Sequence, residues 1–193
     1  MSLQLDLTNV TLNADAVAAT VAWNNELIHS ALLGYAKVDF LKLKVQFGRW
    51  NPRRVDPAEV KRMADSMRTG RGLIRYTTAT MVPLVMQKDQ VDLDNLYRSS
   101  DPPSGADILP ALILTDSAKP IFAAGGQHRR AALEALFADL HKQITALTKK
   151  AKGIKDEAQR HAQESEIEEL TKELAGLGFW GVAIYDYGKF SLL

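Results

Sequence analysis

A long helical region followed by an apolar, strand-like run is the feature that most constrains the fold. Residues 128–147 have a helical pattern, Gly153 interrupts it, and an acid-rich helical stretch follows before "FWGVAIYDY" near the C-terminus. A strand needs neighbouring strands to bond its backbone, so this run has to return to a sheet built from earlier segments. The helical region must therefore reverse direction, which predicts an antiparallel helical hairpin inserted into an α+β domain.

Patterns upstream of the hairpin supply the rest of that domain. Alternation of apolar and polar residues predicts strands in "LQLDLTNVTL" and "VDFLKLKVQF", with a helix between them that ends at Gly34. Further strands are predicted in "TATMVPLVM", "ILPALILT" and "KPIFAA", and the polar residues 87–107 predict a surface insertion. These elements divide the chain into a strand–helix extension (1–37), a core (38–140), the helical hairpin (141–177) and a returning strand (178–193).

Composition excludes several classes of site. The 193 residues include no cysteine, which excludes disulfides, thiolate metal sites and a catalytic thiol. The four histidines, His29, His128, His141 and His161, show no metal-ligand spacing, so no metal site is predicted. No apolar run approaches the roughly 18 residues of a membrane span, and the N-terminus lacks the pattern of a secretory signal. We therefore expect an intracellular protein, in the cytoplasm or the nucleus, that does not enter a membrane.

Charge is nearly balanced overall but unevenly distributed. The formal net charge is +1, whereas the segment from Lys42 to Arg75 contains ten basic and three acidic residues. This segment indicates either a localised anion site or a solvated face, and it allows weak, non-specific DNA contact. In the hairpin, a lysine-rich part precedes an acid-rich part, which favours either pairing between its two helices or a coiled-coil surface for a protein partner.

The stretch "NPRRVDPAEVKRMADSMRTGRG" carries strong helix signals. Asp56 is a typical N-cap, Pro57 takes the first helical position, and Glu59 stands where a capping box has its acid. Gly70 is predicted to end the helix. Its buried stripe consists of Val60, Met63, Ala64 and Met67.

A second stretch, "PIFAAGGQHRRAALEAL", places two glycines between a strand and a helix. Gly125 and Gly126 allow close backbone approach and positive φ, and the helix start presents free N–H groups at its positive end. His128, Arg129 and Arg130 add donors there. The pattern indicates an anion-binding corner, although a hydrogen-bonded structural histidine is the more common role for His128 taken alone.

Together the two stretches resemble the ParB/sulfiredoxin fold. "FAAGGQHRRAALEAL" is similar to the sulfiredoxin signature Phe-Gly-Gly-Cys-His-Arg and to the Gly-Glu-Arg-Arg box of ParB proteins. "NPRRVDPAEVKRMADSMRTG" resembles the helix that lines the nucleotide in both. The resemblance covers roughly residues 38–136, with a last strand at 182–185. It implies a ParB/sulfiredoxin-like mixed sheet with flanking helices, to which this chain adds the hairpin.

The resemblance also implies a binding site and a departure from the family's redox chemistry. Gln127 stands where sulfiredoxin has its catalytic cysteine, and a carboxamide cannot attack a phosphorylated sulfinic acid, so sulfiredoxin activity is excluded. Glu59 and Arg62 replace a lysine and a serine that contact nucleotide in sulfiredoxin. The residues implied to bind nucleotide or phosphate are Gly125, Gly126, His128, Arg129, Arg130, Asn51, Arg53, Arg54, Arg62 and Ser66.

Two classes of function follow from the resemblance. The first is a nucleotide- or phosphate-binding domain, an NTPase or phosphotransferase using ATP or CTP with Mg²⁺. Its catalytic candidates are His128, bonded to the transferring group, Gln127, orienting a phosphate oxygen or water, and Glu59 as a general base, for which the capping box is the alternative role. The second class is a non-catalytic DNA- or protein-binding module with the 141–177 hairpin as its partner surface. The sequence leaves open the base preference, the phosphate acceptor, the oligomeric state and whether the chain is part of a longer protein.

Overall fold

Four strands form one mixed sheet in the computed structural model of the chain. In chain order they are β1 (Leu32–Asp39), β2 (Val82–Met86), β3 (Phe122–Ala123) and β4 (Phe179–Asp186). Their order across the sheet is β1–β4–β2–β3; β4 pairs antiparallel with β1 and parallel with β2, and β3 pairs antiparallel with β2. The prediction that the run after the hairpin returns to the sheet is confirmed. The structure describes residues 26, 28–48, 50, 53–68, 75–99, 103, 105 and 108–190.

Three long helices accompany the sheet. They are α1 (Pro57–Arg68), α2 (Gln127–Ala151) and α3 (Glu157–Leu177), and a four-residue α4 (Tyr187–Phe190) follows β4. Asp56 caps α1 as predicted, because its Oδ1 accepts from the Ala58 N–H at 2.9 Å. Helices α2 and α3 form the predicted hairpin, whose second helix is capped by Asp156. The glycine predicted to end α1, Gly70, lies outside the described residues.

The main core lies between one face of the sheet and helices α1 and α2. Val182 and Ile184 of β4 are fully buried in it, together with Leu133 of α2. Ala183, which points to the opposite face, belongs to a smaller cluster with Met81 and Leu109. Burying a side chain of valine, leucine or isoleucine contributes about 1.5–3 kcal/mol each, so these few residues anchor the helices to the sheet. The predicted stripe of α1 faces the same core, with Ala64 buried and Val60, Met63 and Met67 half-buried.

The strand predicted over residues 38–47 is displaced toward the N-terminus. Strand β1 ends at Asp39, where the backbone N–H groups of Lys42 and Leu43 both bond to the Asp39 carbonyl and turn the chain. The turn comes here because Asp39 pairs with Phe179, the first residue of β4, so no partner strand continues beyond it. The domain boundary predicted at residue 37 therefore falls inside a strand. The predicted N-terminal strand lies outside the described part of the chain.

The segment between β2 and β3 is more closely packed than a surface insertion. It contains two short 3-10 turns, and Gln90, Val91 and Leu96 are buried. Tyr97 exchanges two backbone hydrogen bonds of 2.9 Å with Tyr35, so this segment covers the outer edge of β1. The strands predicted in "ILPALILT" and "KPIFAA" are reduced to the two residues of β3 and isolated bridges, because the chain here follows the sheet edge without forming a ladder.

Candidate functional site

The glycine corner connects β3 to α2 and contains one backbone conformation that requires glycine. Gly126 has φ 85° and ψ 6°, in the left-handed region. A Cβ on Gly126 would lie 3.1 Å from Cγ2 of Val82, closer than ordinary van der Waals contact. A Cβ on Gly125 would come no nearer than 3.7 Å to any atom of Pro83. The two glycines therefore have different roles: Gly126 fixes the turn, and Gly125 leaves space beside it.

Helix α2 begins at this corner without any side-chain cap. The N-cap is Gly126, the first turn contains no acidic residue, and no side chain accepts from the backbone N–H groups there. The first bond of the helix joins the Arg130 N–H to the Gly126 carbonyl at 2.8 Å. The three preceding backbone N–H groups, from Gln127 to Arg129, have no acceptor among the residues that the structure describes. Free donors at the positive end of a helix suit an anion.

Side chains from the first turn of α2 bind the segment that leads into α1. Nε2 of His128 accepts the Asp56 backbone N–H at 2.9 Å, and the amide nitrogen of Gln127, a buried side chain, donates to the Arg53 carbonyl. Because Nε2 accepts this bond, the neutral imidazole carries its proton on Nδ1. The starts of α1 and α2 therefore lie within the length of one side chain of each other.

No known protein family, characterised protein or solved structure matches this chain. What can be said about the site therefore depends on its own geometry. In the described residues, no group of three or more histidine, aspartate or glutamate side chains is placed to hold a metal ion. No helix in that part of the chain is long and apolar enough to cross a bilayer.

Glu59 does not complete a capping box, which corrects the role favoured from the sequence. The Asp56 N–H that such a glutamate would accept is bonded to His128. The Glu59 carboxylate instead accepts from Arg62, with nitrogen–oxygen distances of 2.7 and 2.9 Å. This bond and the positive charge of Arg62 hold the pKa of Glu59 below its usual value. An exposed carboxylate that is paired in this way is a weak general base.

Arg129 is anchored to the protein and does not face the corner. Its Nη1 donates to the Thr80 carbonyl at 2.6 Å, and the guanidinium carbon lies 4.7 Å from the ring centroid of Trp180. Burial lowers the pKa of Arg129, although the group stays charged near neutrality. The guanidinium therefore connects α2 to β4 and to the loop before β2.

Arg130 has a similar anchoring role on the other side of the helix. It donates to the carbonyls of Leu43 and Leu41 at 2.8 and 3.1 Å and pairs with Glu134 at 3.0 Å. These bonds hold the turn after β1 against α2. Of the two arginines expected to reach a phosphate, neither has a free guanidinium at the corner in this conformation.

The remaining predicted residues divide by their distance from the corner. Arg53 and Arg54 precede α1, are exposed and form no ion pair within the described residues. Arg62 and Ser66 lie further along α1, about 7 and 13 Å beyond Pro57 at 1.5 Å per residue, and Ser66 is exposed. Asn51 lies outside the residues that the structure describes.

An aromatic cluster beside β3 was not predicted from the sequence. Phe122, three residues before Gly125, lies 5.6 Å from Trp50 and 5.7 Å from Tyr187, measured between ring centroids. The three rings are half-buried. Trp50 directly precedes one of the two stretches that carry the resemblance, and Phe122 begins the other, so the only signal in the sequence was this pair of aromatic residues. Ala123 belongs to the main core, so the pleat of β3 points the Phe122 ring to the opposite face of the sheet.

Removing the imidazole of His128 should loosen the contact between the two helix starts. We expect His128→Ala to lower the free energy of unfolding by about 1 kcal/mol, because the Asp56 N–H loses its acceptor. His128→Gln keeps an acceptor of similar reach and should lose less. Urea unfolding at constant m-value measures both changes. Equal stability of the alanine variant and the wild type would show that the bond is not formed in solution.

Proposed function

We propose that this chain is a ParB/sulfiredoxin-like domain that binds the phosphates of a nucleotide, or of another phosphate-bearing small molecule, at the start of α2. The observation that carries this proposal is the uncapped start of α2 beside the start of α1. The free N–H groups at the start of α2 favour negative charge, and the start of α1, capped by Asp56, lies beside them. The exposed Arg53 and Arg54 lie where they add to that field.

The family resemblance, and not a contact at the corner, favours a nucleotide over free phosphate. ATP and CTP are the ligands that the family resemblance implies. Magnesium, which such ligands bring, would depend on the phosphates and water, because the carboxylates nearest the corner are engaged: Asp56 caps α1 and Glu59 pairs with Arg62.

Catalysis by this site would be NTP hydrolysis or phosphoryl transfer. In that case His128 offers its Nδ1 proton to the transferring group, and the amide oxygen of Gln127 remains to orient a phosphate oxygen or water. Sulfiredoxin chemistry is excluded because Gln127 has no thiol.

A non-catalytic binding module is the second candidate function, and the engaged side chains favour it. Glu59 forms an ion pair with Arg62. The amide nitrogen of Gln127 donates to the Arg53 carbonyl, and Arg129 donates to the Thr80 carbonyl. Such a module would bind nucleotide, DNA or a protein partner without turnover.

Ligand binding is tested by thermal shift with ATP, ADP, CTP and GTP, each with and without magnesium. A ligand present at about 100 times its dissociation constant should stabilise the fold by about 2.7 kcal/mol. Replacing both Arg53 and Arg54 by alanine should weaken binding about tenfold or more while leaving the melting temperature of the free protein unchanged, since both side chains are exposed. Arg98→Ala, at another exposed arginine, is the matched control and should bind normally.

Two further arms separate the candidate functions. Gly125→Asp places a carboxylate at the corner, where its Cβ meets Pro83 only at ordinary van der Waals distance, and should abolish the shift by repelling the phosphates. Release of inorganic phosphate from the bound nucleotide would favour the enzyme, and binding without release the module. No shift with any nucleotide, together with a salt-sensitive shift on adding duplex DNA, would replace the proposal by the DNA-binding alternative. No shift with either would reject a phosphate site at this corner.

A further inference from the structure

Charge is segregated along the length of the α2–α3 hairpin. We define the tip as residues 149–160 and the base as residues 134–148 together with 161–177. The tip contains five basic and two acidic residues, a net charge of +3. The base contains seven acidic and two basic residues, a net charge of −5. The hairpin is therefore a dipolar arm, positive where the chain turns and negative near the sheet.

These charges are compensated only in part: four of the seven base acids, Glu134, Asp139, Glu164 and Glu168, form ion pairs with Arg130, Arg68, Arg160 and Lys172. The sequence favoured pairing between the lysine-rich helix and the acid-rich helix, but no ion pair joins α2 to α3 among the described residues. The four tip lysines, Lys149, Lys150, Lys152 and Lys155, form no ion pair in that part of the chain, and neither do the base glutamates Glu166, Glu169 and Glu173.

The seam between the helices is apolar, which explains why the charges face outward. Ile144 and Leu147 of α2 and Ile167 and Leu170 of α3 recur at three- and four-residue spacing and are half-buried. Charged residues take the remaining faces of both helices. Opposite charges of the tip and the base are thus directed to solvent, where a partner can reach them.

An apolar groove lies at the base of the hairpin. It has a volume of about 560 Å³, its apolar lining includes Leu41, Phe137, Leu174 and Ala175, and its wall also carries Asp39, Lys42 and Glu134. The side chain of Phe137 is 41% exposed, which is unusual for phenylalanine on a helix that faces a core. Helix α2 extends about 22 Å from Phe137 to its end. The groove and the basic tip are therefore separated by most of the length of the arm.

We propose that two copies of this chain associate through antiparallel hairpins, with the basic tip of each against the acidic base and the Phe137 groove of the other. A two-fold axis makes both contacts equivalent, so one pattern of charge on a single chain satisfies both sides of the interface. A parallel arrangement would place tip against tip and base against base, and like charges would repel. The proposal is independent of ligand binding at the glycine corner.

The association is tested by sedimentation velocity over a range of protein and salt concentrations. We expect the wild type to be a dimer at about 0.1 M salt and to dissociate toward about 1 M, as the screening length falls from about 10 to about 3 Å. Lys149→Glu/Lys150→Glu changes the net charge of the tip from +3 to −1, and Glu166→Lys/Glu169→Lys/Glu173→Lys changes that of the base from −5 to +1. Each variant alone should raise the dimer dissociation constant about tenfold or more.

Mixing the two variants is the decisive experiment, because the acidic tip of the first then meets the basic base of the second, and the basic tip of the second meets the acidic base of the first. The mixture should regain dimer at the concentration where each variant alone is a monomer. Lys44→Glu/Lys88→Glu reverses two exposed lysines outside the hairpin and should leave association unchanged. Phe137→Ser should weaken the dimer without any change of charge.

Several results would overturn the proposal. These are a wild-type monomer at every salt concentration, insensitivity of the dimer to both reversals, and failure of the mixture to associate. Circular dichroism shows whether each variant is folded. If a charge variant unfolds, the wild-type salt series and Phe137→Ser still test the proposed association. A mixed complex with nucleic acid in place of a dimer would identify the tip as a polyanion-binding surface and would also reject self-association.

Discussion

Trp180→Ala should lower the free energy of unfolding by about 3–5 kcal/mol, a large share of the stability of a domain of this size. The ring is only 2% exposed and packs in the main core of the sheet. Its Nε1–H donates to the Thr80 carbonyl at 2.8 Å, and the guanidinium carbons of Arg129 and Arg75 lie 4.7 and 5.8 Å from its centroid. Alanine removes the packing, the hydrogen bond and both cation–π contacts.

Trp180→Phe separates these contributions. Phenylalanine keeps an aromatic face for the two arginines but cannot donate to Thr80, so we expect a loss of about 1–2 kcal/mol from the missing bond and the smaller ring. Urea unfolding followed by circular dichroism measures both variants. If alanine and phenylalanine cost the same, the aromatic face contributes nothing and the contacts with Arg129 and Arg75 are not energetically significant.

The Trp180 contacts also determine how Arg129 should be tested. Arg129→Ala removes a bond to Thr80 and a stacked cation, so reduced ligand binding in that variant would not identify a phosphate contact. Arg53 and Arg54 are better probes of ligand binding because their side chains are exposed, so replacing them should not disturb the packing of the fold. Binding measured on these two therefore reports on the ligand and not on the fold.

Local signals predicted some elements of this fold and misplaced others. The Asp56 cap and Pro57 start are determined by residues within one turn, and the hairpin and the returning strand by long, strongly patterned runs. The strand at Leu32–Asp39 was displaced in the prediction because residues 38–47 alternate equally well. Alternation alone cannot show where the partner strand ends, and here it ends opposite Asp39.

The contacts of the side chains at the corner could not be predicted from the sequence, because their partners are distant along the chain. Glu59 is the nearby candidate acceptor for the Asp56 N–H, but this N–H donates to His128, 72 residues away. Arg129 has a basic side chain at a helix start, a pattern that indicates an anion-binding site. Its guanidinium instead donates to the Thr80 carbonyl and lies over the Trp180 ring. Sequence identifies which groups are able to bond, whereas the fold determines which of them meet.

Gly126→Ala should be the most disruptive single-methyl substitution at the corner, with a loss of about 2 kcal/mol or more. Left-handed backbone costs a non-glycine residue about 1–2 kcal/mol, and the new Cβ would meet Val82 at 3.1 and 3.2 Å in a packed core. Gly125→Ala is the matched control: its Cβ meets nothing nearer than 3.7 Å, so stability should change by less than about 0.5 kcal/mol. Thermal and urea unfolding compare the pair.

Gly126→Ala and Gly125→Ala also show whether ligand binding depends on the left-handed turn or on the space beside Gly125. Because the left-handed turn directs the N–H groups of α2, Gly126→Ala should weaken the nucleotide-dependent thermal shift even at temperatures where the variant is fully folded. Gly125→Ala should retain the shift unless the ligand approaches the backbone at that residue closely. Loss of binding in Gly125→Ala with full stability would therefore place the phosphate against Gly125 itself, and normal binding in both variants would separate the ligand site from this turn.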